Sequence, residues 1–83
     1  MMVVVDASAV VVLRPADAQE TSAAWAIALK RTDGPTALSL TRQKLEIFPK
    51  HDSKWCATAE KGAYIVKDPD GTPDVVVVAT GSE

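Results

Sequence analysis

Cysteine is nearly absent: Cys56 stands alone among 83 residues, which excludes an internal disulfide and any metal site built from several cysteines. Charge of one sign is also missing. Nine Lys and Arg against eleven Asp and Glu leave a net charge of −2, and the basic residues are scattered. No electrostatic case arises for nucleic acid or an anionic membrane. No apolar run is long enough to span a bilayer. The front, residues 1–13, is apolar but has no basic start, carries Asp6, and runs into Arg14-Pro15 without a cleavage site, unlike a secretory leader. A cytoplasmic location is expected. There are no internal repeats and no low-complexity segment.

What is present suits one small globular unit: 47% of residues are hydrophobic and 24% charged. A chain of this size buries only roughly 60–65% of its unfolded surface, so its stability is expected to be marginal.

Val10-Val11-Val12-Leu13 is a β-branched run that predicts a buried strand. Val3-Val4-Val5 predicts a second short strand or the front of the same one. Pro15 blocks an early helix start, and Asp17 with Glu20 three residues on forms a capping box. A helix is expected over 18–31, with Ala18, Ser22, Trp25 and Leu29 as one stripe, Ala24 and Ala28 beside it, and Trp25 in the core. Lys30 and Arg31 suit the negative end of its dipole. Asp33-Gly34-Pro35 stops it. Thr36–Thr41 alternates and predicts a strand, completing a βαβ unit with a right-handed crossover. Residues 44–61, with Pro49 and His51, read as an irregular surface linker. Gly62–Lys67 and Asp74–Ala79 read as strands, separated by the turn Asp68-Pro69-Asp70-Gly71-Thr72-Pro73.

The expected fold is therefore α/β: a partial parallel sheet with a βαβ unit, a linker, then the first strands of a second α/β domain. Strand-like segments outnumber helices, although parallel sheets need helices on both faces. The run Val75–Val78 in particular has no cover in this chain. Truncation of a longer protein, or association, would supply it.

The asparagine-free block Asp33-Gly34-Pro35-Thr36-Ala37-Leu38-Ser39-Leu40-Thr41-Arg42-Gln43 resembles transketolase. So do Arg14-Pro15-Ala16-Asp17-Ala18-Gln19-Glu20-Thr21 with Trp25, Gly62-Ala63-Tyr64-Ile65-Val66-Lys67-Asp68, and Ala79-Thr80-Gly81-Ser82-Glu83, in the family's order. The resemblance implies that 1–43 is the end of the pyrimidine-binding domain, 44–61 a linker, and 62–83 the start of the C-terminal domain. It implies a two-carbon ketol transfer between sugar phosphates with thiamine diphosphate and Mg²⁺, in a homodimer. Neither cofactor is expected to bind this chain alone. Within that frame Arg42 corresponds to the arginine that binds the substrate's phosphate, and a guanidinium fork suits phosphate oxygens. Lys44 stands where the family has asparagine. The family's sugar-contacting histidines, its cofactor-activating glutamate and its Gly-Asp-Gly type motif have no counterpart here, and residues 1–9 do not match. The fragment is expected to be inactive alone. It could also act as an interaction module through exposed strand edges, or be a non-functional remnant.

The remaining candidates read as structural. Arg14 is expected to cap or pair near the helix start. Asp17 and Glu20 are explained by capping rather than acid–base chemistry. His51 and Cys56 lack a third ligand or orienting partner. Trp55 is expected to cover a domain seam, and Tyr64 to pack with its hydroxyl at the surface. Thr80-Gly81-Ser82 reads as a structural turn rather than a phosphate cradle.

Overall fold

The computed structural model describes residues 3–5 and 10–82. Strand β1 (Val3–Val5) runs antiparallel to β2 (Val11–Leu13), with Val4 opposite Val12. Helix α1 (Ala18–Lys30) follows, and β3 (Thr36–Leu38) then lies parallel to β2, with Val12 opposite Ala37. The sheet order is β1-β2-β3. The parallel pair closes with Val11 N–H donating to the Pro35 carbonyl at 3.2 Å and Ser39 N–H to that of Leu13 at 2.8 Å. The expected α/β pattern with a βαβ unit is thus present. The first valine segment is a strand of its own, set antiparallel.

The side-chain alternation of a strand decides which β2 residues enter the core. Leu13 is fully buried and Val11 nearly so, while Val12 is half-buried. Opposite them α1 presents Glu20 and Ala24, with Ala23 and Ile27 packed alongside. These four positions follow the i, i+3, i+4, i+7 spacing of one helical face. The stripe through Trp25 and Leu29 faces away, and these two residues are 53% and 77% exposed, so the expected core role of Trp25 is corrected. Two apolar faces are available on α1. The one chosen carries alanines, which allow a close approach, and Glu20, which finds partners inside.

The cap forms as the spacing predicts, with a variation on the reciprocal half of the box. Asp17 Oδ1 accepts the Glu20 N–H at 2.8 Å, and Glu20 Oε1 reaches back to the N–H of Ala16, one residue before the N-cap, at 2.8 Å. The first bond satisfies a free donor of the helix start, and the second ties the entering chain to it. The helix ends at Lys30, one residue short of the expected limit, with Arg31 N–H on the Ile27 carbonyl at 3.1 Å. The Arg31 guanidinium folds back onto the Pro35 carbonyl and, at 3.3 Å, onto Asp33 Oδ1.

Two expectations about the second half are corrected. Residues 44–61 are not irregular throughout. They contain the short helix α2 (Trp55–Ala59), whose Ala59 is fully buried and joins the core with Val11, Leu13 and Ala24. The segments Gly62–Lys67 and Asp74–Ala79, expected as the first strands of a second domain, join no sheet among the described residues. A strand's backbone groups need a neighbour, and none stands beside these. Val75–Val78 are 76–84% exposed. Covering a valine contributes about 1.5–3 kcal/mol, so this run forgoes several kcal/mol.

Candidate functional site

Arg42 lies four positions beyond β3, on the side of the carboxyl ends of the two parallel strands, where open α/β sheets place ligands. It is exposed. Ser39 N–H, bonded to the Leu13 carbonyl, fixes the chain just before it. Beside it Gln43 N–H donates to Thr41 Oγ1 at 3.1 Å. Two shallow surface hollows lie elsewhere. One, of about 340 Å³, opens over Phe48, Lys50 and Trp55. The other, of about 360 Å³, runs from His51 to Asp68. Arg42 lines neither of these two and stands exposed to water.

The largest concentration of polar contacts is at the start of α1. The Asp17 carboxylate, buried with the Lys50 ammonium, accepts from three donors: Glu20 N–H, Phe48 N–H at 3.2 Å, and Lys50 Nζ. Lys50 also donates to the Phe48 carbonyl at 3.2 Å and lies 3.7 Å from the centre of the Phe48 ring. The Trp55 ring is 5.3 Å away on another side. Burial alone would push the Asp17 pKa up. The Lys50 hydrogen bond, the Glu20 and Phe48 N–H groups and the Lys50 charge outweigh it, and the pKa lies below the ordinary carboxylate value.

Glu20 is 1% exposed, and its second carboxylate oxygen accepts from the Tyr64 hydroxyl. The Tyr64 ring meets Trp55 at 5.3 Å between centroids, tilted by 42°. Burial, then the hydrogen bond to Glu20 and its charge, raise the Tyr64 pKa well above its usual value. Bonded to a buried carboxylate, the hydroxyl of this half-buried tyrosine turns inward and is not the surface group expected. Trp55, expected to cover a seam, packs with Tyr64 against the core.

This buried cluster is built to hold rather than to react. Both oxygens of each carboxylate accept from donors, and the ammonium lies near a carboxylate and two rings. Lys50 and Phe48 were not legible as partners of Asp17. They sit more than thirty positions away, in a stretch without periodicity, and the only sequence signal was the capping aspartate itself.

The other candidates resolve plainly. Arg14 is half-buried just after β2. His51 and Cys56 are both exposed. Among the described residues no group of three His, Cys, Asp or Glu side chains is placed to hold a metal ion. Gly81 takes a positive φ of 64° in a turn, as expected for Thr80-Gly81-Ser82. No helix among the described residues is long and apolar enough to cross a membrane.

Comparison with known proteins gives one answer. The chain is 53% identical over 72 residues to a transketolase of Aquifex aeolicus, covering 87% of this chain and 10% of that protein. It is 51% identical over 75 residues to a transketolase of Treponema pallidum, covering 89% of this chain and 11% of that one. With a transketolase of Bacillus subtilis the identity is 50% over 72 residues, 86% of this chain and 11% of the relative. No family model and no solved structure matches the chain. At this identity along most of its length the chain is a transketolase-like segment, and it spans about a tenth of the length of the curated relatives it matches.

Proposed function

We propose that this segment supplies a phosphate-binding arginine, Arg42, to a ketol transfer between sugar phosphates that uses thiamine diphosphate and Mg²⁺, and that the 83-residue chain does not perform the transfer alone. The similarity to transketolases carries this reading. The position of Arg42 past the carboxyl end of β3, exposed and permanently charged, agrees with it. The cofactor supplies the carbanion chemistry in such a reaction. This chain's share is to hold a sugar phosphate by charge-assisted hydrogen bonds. The reading sets residues 1–43 at the end of a pyrimidine-binding domain and 62–83 at the start of a C-terminal one, in a cytoplasmic protein.

Two measurements test it together. With purified chain, thiamine diphosphate, Mg²⁺, a ketose phosphate and an aldose phosphate, no turnover is expected; clear turnover overturns the inactivity. Titration with ribose 5-phosphate, followed at the Arg42 side-chain N–H by NMR, is expected to shift that signal. Arg42→Ala should abolish the binding, and Arg42→Lys should keep only part of it. Equal binding by Arg42→Ala removes the arginine from the site.

The bare valines favour a second reading, in which the chain docks on a separate or full-length transketolase through a strand edge. Val75–Val78 are β-branched, uncharged and 76–84% exposed, which suits strand addition. Co-sedimentation with a full-length transketolase is expected on this reading, and Val76→Lys with Val77→Lys should abolish it. A chain that sediments as a monomer with or without that partner excludes it.

A further inference from the structure

Between β3 and the aromatic pair at Trp55 the chain has little to hold it. Leu40 and Ile47 are more than half exposed, and Leu45 is exposed as well. No apolar side chain in that stretch is buried, so its shape depends on how its ends are fixed. The near end is pinned by Ser39 N–H on the Leu13 carbonyl at 2.8 Å. The far end is pinned at Phe48 and Lys50, and both reach the same oxygen, Asp17 Oδ2. Asp17 also caps α1 through its other oxygen.

We infer that the Asp17–Lys50 pair is a positioning clasp: it fixes the far end of the loop 40–47 against the start of α1 and so presents Arg42 in a restricted place. Both anchors of the loop belong to the βαβ unit, since Leu13 ends β2 and Asp17 opens α1. Without the clasp, the next part of the chain that packs on the core is Trp55. The free stretch then runs over 40–54, nearly twice as long. Doubling a flexible loop changes its closure equilibrium by about threefold. The clasp carries this order whether or not phosphate is the ligand; its consequence for phosphate rests on the reading of Arg42 given above.

The test separates the clasp from the helix cap. Serine is a good N-cap residue but too short to reach Phe48 and Lys50, and methionine keeps most of the lysine stem without its charge. The double variant Asp17→Ser with Lys50→Met therefore retains the cap and strands no ammonium. Asp17→Asn with Lys50→Met, which keeps a good N-cap, strands no charge and sets an amide nitrogen where Phe48 N–H had an acceptor, is the second variant should the first double one fail to fold, and Tyr64→Phe, which touches Glu20 instead, is the control. Amide exchange and ¹⁵N relaxation on the full chain are expected to show a protected Phe48 amide and an ordered Arg42 in the parent. In the clasp variants Phe48 exchanges at least threefold faster, the Arg42 order parameter falls, and affinity for ribose 5-phosphate drops about threefold, while α1 stays protected. The Tyr64→Phe control leaves all three loop signals unchanged. A parent in which Phe48 is no better protected than Gln43–Glu46 overturns the inference, as do clasp variants with unaltered Phe48 and Arg42. A parent that binds no phosphate yet shows the loop changes refutes the arginine reading and supports the clasp.

Discussion

Asp17→Ala is expected to leave most of the chain unfolded at room temperature. Two losses combine. Removing an N-cap side chain costs about 1 kcal/mol. Removing one partner of a buried ion pair costs about 3–5 kcal/mol, because the other charge is left without compensation. Lys50 is 3% exposed at its side chain, and Asp17 1%, so neither is screened by water in place. At roughly 0.05–0.15 kcal/mol per residue, a chain of 83 residues holds about 4–12 kcal/mol. Many of its residues here lie outside the core, which puts it near the low end. Circular dichroism and urea denaturation would show the loss. The variant Asp17→Ala with Lys50→Met should regain most of it, because it removes the stranded charge and leaves chiefly the cap deficit. If the single and double variants are equally unstable, the ion pair is not the source.

The same pair sets a pH signature. The Asp17 carboxyl titrates below its ordinary value in the folded chain. Its contribution is complete above the unfolded value of about 3.9 and is lost as the pH falls through the lower, native one. Acid should therefore weaken the parent below about pH 4, and this part of the profile should vanish in the double variant. Tyr64 has the opposite sense. Its pKa is raised, so the protonated hydroxyl is favoured in the folded chain, and its contribution is lost as the pH rises beyond about 10. Tyr64→Phe should flatten the alkaline limb and leave the acid one.

Leu13→Ala is expected to have the second large effect. Leu13 has no surface open to water, and among the described residues it is the largest fully buried apolar side chain. It is central in the sheet, opposite Leu38 on one side and Val3 on the other. Among the described residues the other buried members of this core cluster are Val11, Ala24 and Ala59, two of them alanines that cannot move in to fill a void. Such truncations cost about 2–5 kcal/mol, more where the surroundings cannot collapse. Thermal melting should be displaced far downward or lost. Leu40→Ala, at a residue 56% exposed, should change little. Similar midpoints for the two variants would mean that this core does not organise the chain.

Much of the first half was legible. The valine run, the capping aspartate and the Asp33-Gly34-Pro35 stop each act over a few residues, so local rules placed β2, α1 and the start of β3 close to where they stand, while β3 stops at Leu38 and not at the expected Thr41. The face of α1 was not legible. Its two stripes differ little in hydrophobicity, and the choice fell on Glu20 and Ala24 because of partners beyond the helix. The exposure of Val75–Val78 was legible from the shortage of helices, whereas the absence of pairing at Gly62–Lys67 was not. Arg42 was singled out by the block around it, and the structure adds only that it is exposed four positions past β3.

By itself the sequence determined a strand, a capped helix and a parallel strand, together with kinship to transketolases, because those signals are carried by neighbours in the chain or by residue identity. Only the tertiary structure decided that the supposed linker folds back onto the unit, with Lys50 on Asp17, and that the segment after it follows, with Tyr64 on Glu20. The reason is physical: a buried carboxylate must find donors wherever the folded chain brings them, and no local pattern announces a partner more than thirty residues away.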